Sequence, residues 1–104
     1  MNSQRIKILE QLVQDEPLDP FNQYALGLEW MKSDKQKAKD IFERLMLKHP
    51  AYVPTYYQAA NLYLDLTLNA RALEIINAGL SQARAQGETK AFNELRALLD
   101  EADD

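Results

Sequence analysis

The sequence holds no cysteine, a single histidine, a single tryptophan, three glycines and four prolines in 104 residues. Without cysteine there are no disulfides, no thiolate zinc sites and no cysteine nucleophile. That lack fits a reducing compartment. The lone His49 has no partner at metal-ligand or catalytic-triad spacing, and its place before Pro50 reads as a turn. No glycine-rich phosphate loop occurs, nor does HExxH or GxSxG. The acidic end, "DEADD", clusters carboxylates without the glycine turn and loop ligands of a calcium site. The expectation is therefore no enzyme, no cofactor and no metal.

Long apolar runs are missing too: none approaches the ~18–20 residues needed to span a bilayer. The opening "MNSQRIKILEQLVQDEP" lacks the basic head, apolar core and small-residue cleavage site of a signal peptide. A soluble cytoplasmic protein with no membrane partner is the expectation. Cationic charge is also scarce, with 12 Lys and Arg against 16 Asp and Glu and a net charge of −4. The deficit lies in the second half, since residues 1–52 carry eight acids and eight bases, and residues 53–104 eight acids and four bases. A negative field opposes phosphate binding, so no nucleic-acid partner is expected. The cluster Lys32, Lys35, Lys37 and Lys39 is interleaved with Asp34 and Asp40 and reads as a solvated turn.

What the chain does have is a repeat. "ILEQLVQDEP" from Ile8 returns as "IFERLMLKHP" from Ile41: Ile8, Glu10, Leu12 and Pro17 recur 33 places on as Ile41, Glu43, Leu45 and Pro50. The same shift puts Tyr24 on Tyr57, Leu26-Gly27 on Ala59-Ala60 and Trp30 on Tyr63. After "KSDKQ" the shift becomes 34, placing Ala38, Ile41 and Phe42 on Ala72, Ile75 and Ile76. A unit of 33–34 residues that varies in length only at a turn signals a repeat architecture.

Each unit reads as two helices. Asp19 is placed to cap a helix that Pro20 begins, where a missing N–H is harmless. Phe21, Tyr24, Leu28 and Met31 then recur at helical spacing. Asp34 suits the cap of a second helix bearing Ala38, Ile41, Phe42 and Leu45, which Pro50 ends by biasing His49 away from helical geometry. In the second unit Pro54 starts a helix through Tyr57, Ala60 and Leu64. A turn near "LTLN" follows, and then a helix that Gly87 is placed to stop in a left-handed conformation. The small residues Gly27, Ala38, Ala59, Ala60 and Ala72 allow close helix approach beside the large Trp30, Phe42, Tyr63 and Ile76.

These residues resemble the tetratricopeptide repeat. Leu26-Gly27, Trp30, Ala38, Phe42 and Pro50 match its pattern in the first copy, and Tyr56, Ala59-Ala60, Tyr63, Ala72 and Ile76 in the second. Gln23, Leu45, Gly79 and Arg84 depart from it. The resemblance implies an all-α fold, a short right-handed superhelix of about six helices in antiparallel pairs. The division expected within residues 1–104 is an N-terminal half-repeat over 5–17, repeats over 19–50 and 53–86, and a capping helix over 88–101. The half-repeat "ILEQLVQDEP" matches a second helix, and "TKAFNELRALLDEADD" a first helix with Phe92, Leu95, Leu98 and Leu99 inward.

The resemblance further implies a module that binds a protein or peptide partner in a concave groove lined by first helices. Carried over by alignment, the groove residues are Tyr24, Leu28, Met31, Tyr57, Gln58, Asn61 and Asp65. The capping helix adds Lys90, with Asn93, Glu94 and Ala97. The carboxylate clamp of some relatives is not expected, because Tyr24 and Leu28 stand where Lys and Asn are needed. The alternative is a homodimer or larger self-assembly through the N-terminal half-repeat, with Ile6 and Ile8 against another copy.

Overall fold

Six helices and no strand occupy the described residues, 3–103, of the computed structural model. They are α1 (Ser3–Asp15), α2 (Pro20–Met31), α3 (Lys35–Lys48), α4 (Pro54–Asp65), α5 (Asn69–Gln86) and α6 (Thr89–Asp103). The chain divides into two units, one ending at His49 and the other beginning at Pro50.

In the first unit α2 is flanked by α1 and α3. Its start is fixed as the sequence implies: Pro20 opens the helix and the Phe21 N–H donates to Asp19 Oδ1 at 3.0 Å. Asp34 does the same for α3, accepting from the Lys37 N–H at 3.1 Å. Each cap satisfies an amide that the helix leaves without an internal partner. His49 leaves helical geometry at φ −134°, while its N–H still closes the last turn on the Leu45 carbonyl at 2.8 Å. Ile6 and Leu9 of α1 pack with Leu26 of α2, edged by Val13, Ala25, Trp30 and Ile41. Gly27 is where α2 meets α3. A Cβ there would lie 2.5 Å from Phe42 Cε1, and Phe42 is itself fully buried. Only a residue without a side chain permits that approach.

One buried charge was not foreseen from the sequence. Glu29 is only 5% exposed, and its Oε2 holds Arg5 Nε at 3.1 Å and Lys32 Nζ at 3.3 Å. A carboxylate removed from water needs such partners, and the Arg5 contact ties α1 to α2. Lys37 lies over the Trp30 ring at 4.3 Å, so Lys32 and Lys37 of the lysine cluster have intramolecular partners.

In the second unit α4, α5 and α6 touch one another pairwise. They converge at Gly79, where a Cβ would stand 2.6 Å from Tyr56 Cβ and 2.9 Å from Leu95 Cδ1. Gly79, a departure in the repeat pattern, thus serves close approach as Gly27 does. No side chain caps α4, whose first residue is Pro54. The segment before it is held instead by two side-chain bonds, one local and one long-range: the Tyr56 hydroxyl donates to the Pro50 carbonyl at 2.5 Å, and Gln86 Nε2 to the Ala51 carbonyl at 2.9 Å. Gly87 adopts φ +70° after α5, as expected. On α6, Leu95 and Leu98 are buried, Phe92 and Leu99 half-buried, and Asn93, Arg96 and Asp100 exposed.

Candidate partner-binding faces

In the first unit the groove residues form one stripe of α2. Tyr24, Leu28 and Met31 fall at spacings of four and three residues and are each half-buried, so they share a helix face. Tyr24 is not wholly given to solvent, since its ring centroid lies 6.5 Å from that of Phe42, tilted by 47°. One edge packs inward and the other faces water, an arrangement suited to an amphipathic aromatic.

In the second unit Tyr57, Asn61 and Asp65 recur every four residues on α4, with Gln58 beside them. Tyr57, Gln58 and Asn61 are half-buried and Asp65 exposed. The neighbouring Tyr56 and Tyr63 are buried, so α4 separates its tyrosines between core and surface. Asn61 Nδ2 donates to the Tyr57 carbonyl at 3.0 Å, which turns part of its amide back on its own helix. Lys90 is exposed in the first turn of α6, and Asn93, Glu94 and Ala97 are exposed further along it. The chemistry of these faces is apolar contact plus hydrogen bonding, with charge at Asp65, Lys90 and Glu94.

The structure separates the two isoleucines of the proposed half-repeat. Ile6 is buried against α2, whereas Ile8 is exposed on the same helix. A further feature escaped the sequence reasoning. A surface groove of about 420 Å³ in the first unit is walled by Val13, Leu26 and Ile41 and rimmed by Arg44, Lys48 and His49. Its signal was present but diffuse: Leu18 in an interhelical turn, and Arg44 and Lys48 one helical turn apart. Among the described residues no group of acidic, histidine or cysteine side chains is arranged to hold a metal ion. No helix among them is long and apolar enough to cross a membrane.

Helix pairs repeating at 33–34 residues, with small residues at the contact points, define a helical-repeat protein of the all-α class. Two solved structures give that class its family. The chain is similar to a tetratricopeptide repeat domain protein from Salinibacter ruber determined by solution NMR. The identity is 37% over 83% of this chain and 88% of that one, with a TM-score of 0.78. A crystal structure of a tetratricopeptide repeat domain protein from the same organism matches at 35% identity over 82% of this chain and 97% of the other, with a TM-score of 0.79. No family model and no curated protein matches the chain. The chain belongs to the tetratricopeptide repeat family, whose fold is in general a protein–protein interaction module.

Proposed function

We propose that this protein is a non-catalytic adaptor that binds an extended peptide or a partner helix on the exposed faces of its first helices. In this reading α2 contributes Tyr24, Leu28 and Met31, α4 contributes Tyr57, Gln58, Asn61 and Asp65, and Lys90 adds a cation from α6. The division into a half-repeat over 5–17, repeats over 19–50 and 53–86 and a capping helix over 88–101 belongs to the same reading. So does residence in the cytoplasm, which the absence of cysteine supports.

The observation that carries it is the pair Tyr24 and Tyr57. They hold equivalent places one repeat apart, and both remain half-exposed while Tyr56 and Tyr63 are buried. Tyrosines at a surface supply large contact area at small entropic cost, the property of binding anchors. The test is affinity capture from the native cell with the wild-type chain and with Tyr24→Ala plus Tyr57→Ala. The double variant should lose the specific partner, with affinity at least about tenfold weaker for two anchors removed. Retention of every partner by a folded double variant would sink the assignment.

A further inference from the structure

The groove of about 420 Å³ in the first unit has an apolar bed and a cationic edge. The bed is buried Leu26 of α2, with half-buried Val13 of α1 and Ile41 of α3 beside it. Arg44 and Lys48 follow Ile41 at three and seven residues, so one flank of α3 carries an apolar contact and two exposed cations. Half-buried His49 continues that edge. Among the described residues no acidic side chain lines the groove, and Arg44 and Lys48 are in no ion pair. Acids on the flanking segments are engaged elsewhere: Asp15 accepts from Gln11 Nε2 at 2.9 Å, Asp19 caps α2, and Asp40 pairs with Lys39 at 3.6 Å.

The walls are fixed by bonds within the unit. Gln23 Nε2 of α2 donates to the Pro17 carbonyl at 3.1 Å, holding the turn between α1 and α2 against the groove. That turn presents Leu18 at the lip, 87% exposed. Along α3 the lining from Ile41 to Lys48 spans about 10 Å, room for about three residues of extended chain. At about 100° per residue, Gln23 and Leu26 fall on a different flank of α2 from Tyr24, Leu28 and Met31.

We propose that this groove binds a short acidic peptide segment of a partner protein, with one bulky apolar side chain seated over Leu26 and flanking carboxylates on Arg44 and Lys48. Charge complementarity selects the occupant. Every charged side chain that lines the groove is a cation, and a guanidinium takes a carboxylate through paired hydrogen bonds. Shape selects a peptide over a small organic acid. A small ligand needs most of its surface enclosed, whereas an extended chain lies along an open groove and covers Leu18 at its lip. The site uses neither Tyr24 nor Tyr57 and goes beyond the adaptor reading.

Fluorescence anisotropy with the full chain tests it. The probes are dye-labelled, amidated peptides with Leu or Phe between glutamates, and the same peptides with glutamine in place of each glutamate. The glutamate peptides should bind and shift the amide resonances of Val13, Leu18, Ile41 and Lys48. Their affinity should fall several-fold as salt rises from about 0.1 M to about 1 M, which shortens the screening length from about 10 Å to about 3 Å. Arg44→Glu plus Lys48→Glu should weaken binding at least about tenfold, with unchanged helical circular dichroism. Leu18→Asp, at a side chain too exposed to matter for folding, should weaken it as well and replaces the double variant if that one unfolds. Tyr24→Ala plus Tyr57→Ala should leave this affinity unchanged, so the groove and the adaptor face fail separately. Equal binding of the glutamine peptides overturns the proposal. So does full affinity in the folded variants, or no binding of any glutamate peptide at millimolar concentration. Groove resonances that shift with laurate and not with the peptides overturn it in favour of a small amphiphilic acid.

Discussion

Tyr56 shows how much one side chain carries in this fold. Its ring is buried against the backbone of α5 at Gly79, and its hydroxyl donates to the Pro50 carbonyl. That bond holds the residues leading into α4, where no capping side chain is present. Burial pushes the phenol above the ordinary tyrosine value of 10.0, because the charged form loses hydration. The folded state therefore holds this proton more tightly than the unfolded chain. Its contribution is present in full below pH 10.0 and is lost as pH rises from there through the raised folded value. Tyr56→Phe should lower stability by about 1 kcal/mol at neutral pH, the net worth of a hydrogen bond. The gap between variant and wild type should close as denaturant melts are repeated at increasingly alkaline pH. Parallel alkaline losses in the two proteins would show that another group titrates.

At the scale of the element, the ends of α4 and α5 use one motif with two different residues. After α4 the Leu68 N–H bonds to the Tyr63 carbonyl at 2.9 Å and the Thr67 N–H to that of Leu64 at 3.0 Å. After α5 the Glu88 N–H bonds to Ala83 at 2.9 Å and the Gly87 N–H to Arg84 at 3.2 Å. Both are Schellman closures, which satisfy terminal carbonyls and place one residue in the left-handed region. Gly87 reaches φ +70° without strain, but Thr67 at φ 59° is β-branched and disfavoured there. Thr67→Gly should therefore stabilise the protein by roughly 1 kcal/mol, raising the melting temperature by several degrees. Gly87→Ala should destabilise it by about 1 kcal/mol through backbone strain alone, since nothing lies within 4 Å of the added Cβ. Differential scanning calorimetry of the two variants checks both signs. "LTLN" was legible as a turn, but its left-handed residue was not, because threonine gives no local sign of that conformation.

For the molecule as a whole, the two units close their cores differently. The second has three helices in mutual contact around Gly79, whereas in the first α2 alone joins α1 and α3. Helices of 12–18 residues, as in this unit, are marginal in isolation and depend on tertiary contacts. A fragment of residues 50–104 should retain helical circular dichroism and melt cooperatively. A fragment of residues 1–49 should show weaker helicity and a broader transition. Equal loss of structure in both would refute the difference.

The sequence by itself determined the period, the helix starts and the family. Asp19, Asp34, Pro20 and Pro54 act through bonds within a few residues of themselves, and the 33–34-residue spacing is a property of the chain alone. It also determined that Gly27 must accept a neighbouring helix, because its repeat partner is again small. Only the tertiary structure decided that Glu29 is buried between two cations, that Gly79 is a contact point, and that Ile6 and Ile8 have opposite fates. Those outcomes depend on which side of a helix its neighbours cover. Helical periodicity marks an apolar residue, but it does not say whether a second helix lies over it. The exposure of Ile8 and Leu12 is therefore a fact of packing.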